Sequence, residues 1–194
     1  MIGPFEADKA ATPLEPAERE GLIATHVTVH EELNELEQQN ILAADLWAFE
    51  RKRDVIDEDF LLNLHKRMFG DVWKWTGTYR KTDRNLGVPP YRIQPGLHEV
   101  LGNIRYWVEH ETYPADEIAV RFHHDLVVVH PFPNGNGRWS RMAGDLLAVR
   151  LGRDRFTWGA ADLRAQGDPR SRYLAALRAA DLHDFTPLIG FARS

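Results

Sequence analysis

The sequence predicts a mainly α-helical chain with one β excursion, on three observations. Apolar residues recur at three- and four-residue spacing through most of the length. Residues 76–95 (TGTYRKTDRNLGVPPYRIQP) break that rhythm with two glycines and three prolines. The chain has no cysteine, so no disulfide holds it, and its 194 residues with six tryptophans suffice for one packed core.

Taken in order, residues 1–18 carry Pro4, Pro13 and Pro16 with little periodicity and read as an extended arm. Residues 19–40 form an N-terminal region in which Val29, Leu33 and Leu36 lie among acidic residues, as on an amphipathic helix over 25–40. The core, 41–194, opens with ILAADLWAFERKR (41–53), a second helix after a short break. Asp57 is a plausible cap for a helix to Met68, with Phe60, Leu61, Leu64 and Met68 at helical spacing. Thr82 to Ile93 suits a small hairpin or flap, its pairing limited by Pro89-Pro90. Helical patterns resume over 97–109, 115–130, 136–151 and 170–182, with a short one near 187–191.

Composition narrows the function. A net charge of −5 gives no overall field for nucleic acid. No apolar run approaches the roughly 20 residues that span a bilayer, and MIGPFEADKA is not a signal peptide. The expectation is a cytoplasmic protein without membrane or nucleic-acid partners.

The densest chemistry is HPFPNGNGR, residues 130–138. Pro131 must end the helix before it, so His130 sits at a helix C-terminus beside a loop. Asn134-Gly135-Asn136-Gly137 accepts positive φ without strain, letting N–H groups converge on an anion as the next helix opens. Arg138 and Arg141, three apart, add guanidinium groups suited to phosphate. NGNG in isolation is an ordinary turn; the histidine, the arginines and the helix–loop–helix setting make it a polyphosphate site with a base beside it. His123, His124, Asp125 and His130 do not converge on one ion, because adjacent helical residues point about 100° apart. His124 reads as a buried hydrogen-bonding residue, and the tryptophans as packing.

HPFPNGNGRWSR resembles the Fic family signature, HxFx(D/E)GNGRxxR. DVWKWTGTYR resembles the family's segment before its flap, NLGVPP the flap strand, and YLAALRAADLHDFTPLIGF the usual C-terminal pattern. The resemblance covers about residues 28–191 and is greatest to the subgroup labelled mobile mystery protein B. It implies a Fic-type helical bundle with a small β-hairpin flap and transfer of AMP from ATP to a protein hydroxyl. By the same resemblance His130 is the general base. Gly135, Asn136, Gly137 and Arg138 hold the α- and β-phosphates, and Arg141 the γ-phosphate. Leu86, Gly87 and Val88 dock the target segment, while Tyr173 and Asp181 line the adenosine. The implied partners are a target protein docked on the flap, the chain itself in self-modification, and a second copy in a homodimer.

Two positions depart from the pattern or extend it. Asn134 stands where the family has the carboxylate that binds Mg²⁺; an amide brings no charge to a hard cation. That leaves metal held mainly by phosphate and water, weak activity, or another transferred group. Upstream, TVHEELN (28–34) resembles the family's inhibitory motif (S/T)xxxE(G/N), although Glu31, Glu32, Glu35 and Glu37 also make an ordinary acidic face. The motif implies that Glu32 pairs with Arg141 and denies it to the γ-phosphate. The competing readings are a catalytically silent nucleotide-binding module, and a toxin, with a separate antitoxin or with another phosphate-containing group as its cargo. If Glu32 is inhibitory, Glu32→Ala raises self-labelling by α-labelled ATP; unchanged labelling removes that role.

Overall fold

The computed structural model describes residues 19–23, 25, 27, 30–160 and 168–194. The arm expected over 1–18 and Thr28 of the upstream motif lie outside the described residues. The helices run α1 (His30–Glu50), α2 (Glu58–Phe69), α3 (Ile93–Glu109), α4 (Ala115–Val129), α5 (Asn136–Arg150), α6 (Pro169–Asp181) and α7 (Thr186–Arg193), with one 3-10 turn at Pro90–Arg92.

Local chemistry starts and stops these helices. Asp57 caps α2: its backbone is extended and its carboxylate accepts the Phe60 N–H at 2.8 Å. Asp168 does the same for α6 by accepting from Ser171, with Pro169 in the first turn. Pro131 stops α4, and His130 leaves it in the left-handed region at φ 51°.

The helices α4 and α5 make the most extensive contact and form the centre of the bundle. Ala119, Phe122 and Leu126 of α4, and Ala143 and Leu147 of α5, are fully buried. Gly144 permits their close approach, since a Cβ there would lie 3.3 Å from both the Ala119 carbonyl and the His123 Cβ. Around this pair, α2 rests on α1, α3 on α4, and α7 on both α6 and α4. The connection from α4 to α5 therefore emerges where the most rigid part of the core ends.

Two expectations change. The break expected near residue 40 is absent, and α1 runs through it. Asn40 is accommodated because its amide donates to the Leu36 carbonyl at 3.1 Å and its oxygen accepts the Asp71 N–H at 3.2 Å. The hairpin expected over 82–93 is also absent. Among the described residues the only β pairing is an isolated antiparallel bridge between Leu22 and Trp73. The flap is instead a loop entering the 3-10 turn and α3. Pro89 and Pro90 offer no ladder donors, and the Thr82 and Val88 carbonyls are taken by the Arg80 guanidinium rather than by a facing strand.

Replacing Asp57 with Ala should lower the stability to denaturant by about 1 kcal/mol, the usual worth of such a cap. The m-value should be unchanged, because the mutation exposes no additional core.

Candidate active site

The site is built where α4 ends and α5 begins. At the end of α4 the His130 N–H still bonds back to the Leu126 carbonyl at 3.1 Å. Its ring Nδ1 lies 3.3 Å from the Val127 carbonyl oxygen. A carbonyl only accepts, so Nδ1 carries the hydrogen and Nε2 keeps its lone pair. The residue is 7% exposed. Burial, joined by the charges of Arg80 and Arg84 and opposed by the Val127 bond, lowers its pKa to about 4. The imidazole is therefore neutral through the physiological range, with the Nε2 lone pair available.

The intervening loop is held by side chains. Asn136 accepts the Phe132 N–H at 2.9 Å and donates to the Phe132 carbonyl at 2.8 Å. Its amide faces inward, which leaves its backbone N–H as the group it can present to a ligand. Gly135 adopts φ 80°, and a Cβ there would lie 2.6 Å from the Phe69 ring, so only glycine fits. Gly137 is the opposite case: a Cβ there would meet nothing within 4 Å. Open space thus faces the start of α5, which no side chain caps. First-turn N–H groups lack intrahelical acceptors, so this end of α5 is suited to an anion.

The two arginines of α5 diverge. Arg138 lies over the Phe69 ring at 4.7 Å and pairs with Glu37 of α1 at 2.6 Å. Arg141 donates from Nε to the Gly137 carbonyl at 3.2 Å and lies 5.6 Å from the Tyr173 ring centre. Tyr173 donates to Nε2 of buried His123, or accepts from it, at 3.1 Å. Asp181 is exposed and lies 2.9 Å from His124 Nε2, while Asp125 holds the other ring nitrogen at 3.1 Å. His124 is buried and hydrogen-bonded, as its helical position suggested. In the flap, Leu86 is exposed and Gly87 lies against His130. Glu32 is exposed in the first turn of α1.

Asn134 does not suit a protein-held Mg²⁺. Its side-chain oxygen already accepts the Gly135 N–H, and the residue is neutral. Among the described residues, no three His, Asp or Glu side chains gather where they could hold a metal. At position 134 a hard dication would meet a neutral amide in place of a carboxylate.

Three supporting residues escaped the sequence reading. His65 is fully buried and stacks on Phe132 at 3.6 Å. Its Nδ1 accepts the Gly77 N–H at 3.1 Å, so Nε2 is the donor to the Asn134 carbonyl at 3.0 Å. Glu37 is the one member of the acidic run 31, 32, 35 and 37 that is buried, with Trp73 donating to it at 2.7 Å. Arg80 is 3% exposed and donates to the His130 carbonyl at 2.7 Å. Helical spacing put Phe60, Leu61, Leu64 and Met68 on one face and assigned His65 no role.

The buried histidines set an acid limit. Burial lowers His65 and His123 to about 3, and His130 to about 4, from 6.5. As pH falls below 6.5 the unfolded chain takes up these three protons and the native state does not, so stability declines. Asp145, raised by burial to about 6 from 3.8, opposes this with one proton. His124 is shifted upward, against its burial, by Asp125 and Asp181, so its stabilisation is complete below pH 6.5 and leaves the slope unchanged. Unfolding near pH 5 should thus take up about two protons net, read as a denaturant midpoint that falls steadily from pH 6.5 to 4.

The Fic/DOC family model matches residues 55–148. Protein adenylyltransferase fic-1 of Caenorhabditis elegans is 28% identical over 149 residues, which are 73% of this chain and 27% of that protein. A probable protein adenylyltransferase of Aquifex aeolicus is 29% identical over 143 residues, 69% of this chain and 40% of its own length. The chain therefore spans about a quarter to two fifths of these curated relatives. The BepC protein of Bartonella tribocorum, a VirB-translocated effector solved with bound AMPPNP, shares the fold at a TM-score of 0.69 and 16% identity, over 92% of this chain and 97% of that one. Through residues 55–148, which hold His130, the glycine turn and both arginines, the chain belongs to the Fic/DOC family.

Proposed function

We propose that this chain is a protein adenylyltransferase that moves AMP from ATP to a side-chain hydroxyl of a target protein. The observation that carries this reading is the state of His130: Nδ1–H is committed to Val127, leaving Nε2 as a base next to an uncapped helix start. The adenylyltransferase names of the curated relatives support the reaction type.

In this reading the phosphates of ATP lie on the backbone N–H groups from Gly135 to Arg138, with Arg138 and Arg141 on either side. Tyr173 and Asp181 lie on the adenosine side. A target segment docks along Leu86, Gly87 and Val88 and brings its hydroxyl to His130. Nε2 takes the hydroxyl proton as the oxygen attacks the α-phosphorus. The bond from that phosphorus to the α–β bridging oxygen breaks, and pyrophosphate leaves with its electron pair. Mg²⁺ would enter as a companion of ATP, held by phosphate oxygens and water rather than by the neutral Asn134 amide. Glu32 acts as an inhibitor by drawing Arg141 away from the γ-phosphate. The proposed setting is the cytoplasm, where ATP is abundant.

One observation favours a second reading, a weak or silent nucleotide-binding module: the Asn134 oxygen is neutral and already engaged by Gly135. Labelling separates the two. The wild type should transfer label from α-labelled ATP and not from γ-labelled ATP, and His130→Ala should lower the rate about 10²–10⁴-fold. Label from γ-ATP would make the chain a kinase. ATP binding without any transfer, in the wild type and in Asn134→Asp alike, would leave the silent module.

A further inference from the structure

Arg80 joins the two halves of the site through carbonyl oxygens. Its backbone N–H donates to the Pro131 carbonyl at 2.9 Å and its Nε to the His130 carbonyl at 2.7 Å. On the other side Nη1 donates to the Thr82 carbonyl at 2.9 Å, and Nη2 to the Val88 carbonyl. The buried guanidinium thus holds the backbone of His130 with one edge and both limbs of the flap with the rest.

The geometry on either side makes this fork consequential. His130, a non-glycine residue in the left-handed region, is strained, and the Arg80 bond to its carbonyl helps hold that conformation. Gly87, at φ 96°, sits so close that a Cβ would lie 2.4 Å from the His130 Cβ and 2.7 Å from Arg80 Nη2. The flap therefore touches the histidine directly, through a residue with no side chain. Only a planar group with several donors in fixed directions meets all of these carbonyls together; an ammonium on a flexible stem would not.

We infer that Arg80 is a positioning residue that clamps the flap onto His130, fixing the distance between the docked acceptor and the base. This rests on the reading of residues 86–88 as the docking segment. Arg80 thereby serves acceptor alignment: its guanidinium donates to the His130, Thr82 and Val88 carbonyls and its backbone N–H to the Pro131 carbonyl.

Arg80→Lys in the full chain tests it. Backbone order parameters of residues 82–88 should fall below about 0.6, while α4 and α5 keep their wild-type values. Affinity for non-hydrolysable α,β-methylene-ATP should stay within twofold, and self-labelling from α-labelled ATP should fall at least tenfold. Wild-type flap order in the variant would overturn the clamp. A looser flap with undiminished labelling would overturn the alignment role, and a tenfold loss of nucleotide affinity would move Arg80 into the phosphate site. If the Lys variant does not fold, Gly87→Ala separates flap and histidine from the other side and should give the same three results. Should the wild type label nothing, the adenylyltransferase reading fails, and flap order still decides the clamp.

Discussion

Two hydrogen bonds from the Asn136 side chain to the backbone of Phe132 close the turn on which the whole site depends. They bridge the span between the last residue of α4 and the first of α5, and they satisfy two buried backbone groups that would otherwise be unpaired. Phe132 itself is buried between His65 and Trp139, so the closed turn is anchored in the core. His130 and the N-terminus of α5 are thereby held on either side of one closed turn.

Charge is distributed around this turn in a definite order. His65, His123 and His130 stay neutral because solvation is lost, so His130 keeps a free lone pair that a protonated imidazole would lack. Positive charge is carried by Arg138 and Arg141, each steadied by an aromatic ring. Glu37 is anchored by Trp73 and takes one nitrogen of Arg138, which limits the rotamers of that guanidinium while leaving its other donors. A buried carboxylate beside Arg138, the arginine proposed to meet phosphate, trades some attraction for a fixed geometry.

Most of the fold was legible along the chain. Helical spacing located α2 through α7 to within a few residues, since the signals are local: Asp57 before an apolar stripe, Pro131 after one, Pro169 at a helix start. The flap was legible as an interruption but not as a shape. Its glycine and prolines announce a departure from helix, whereas strand or loop is decided by which donors reach its carbonyls. Those donors belong to Arg80, which lies outside the segment that was read as pairing with itself. In α1, Asn40 resembled a break because its amide can compete with the helix; partners on Leu36 and Asp71 removed the competition.

The candidate site divides in the same way. The sequence alone determined the histidine at a helix end, the positive-φ glycine and the arginines of the following turn, because each follows from the local rules of proline, glycine and helix spacing. Only the tertiary structure decided that Asn136 turns inward, that Glu37 rather than its acidic neighbours is buried against Arg138, that His65 holds the loop by a single tautomer, and that Arg80 spans flap and base. The pairs Arg80–His130, His65–Asn134 and Glu37–Arg138 lie 50, 69 and 101 residues apart in the chain. Burial, which sets the charge of His130 and the commitments of Asn136, is a property of the packed core and has no local signature.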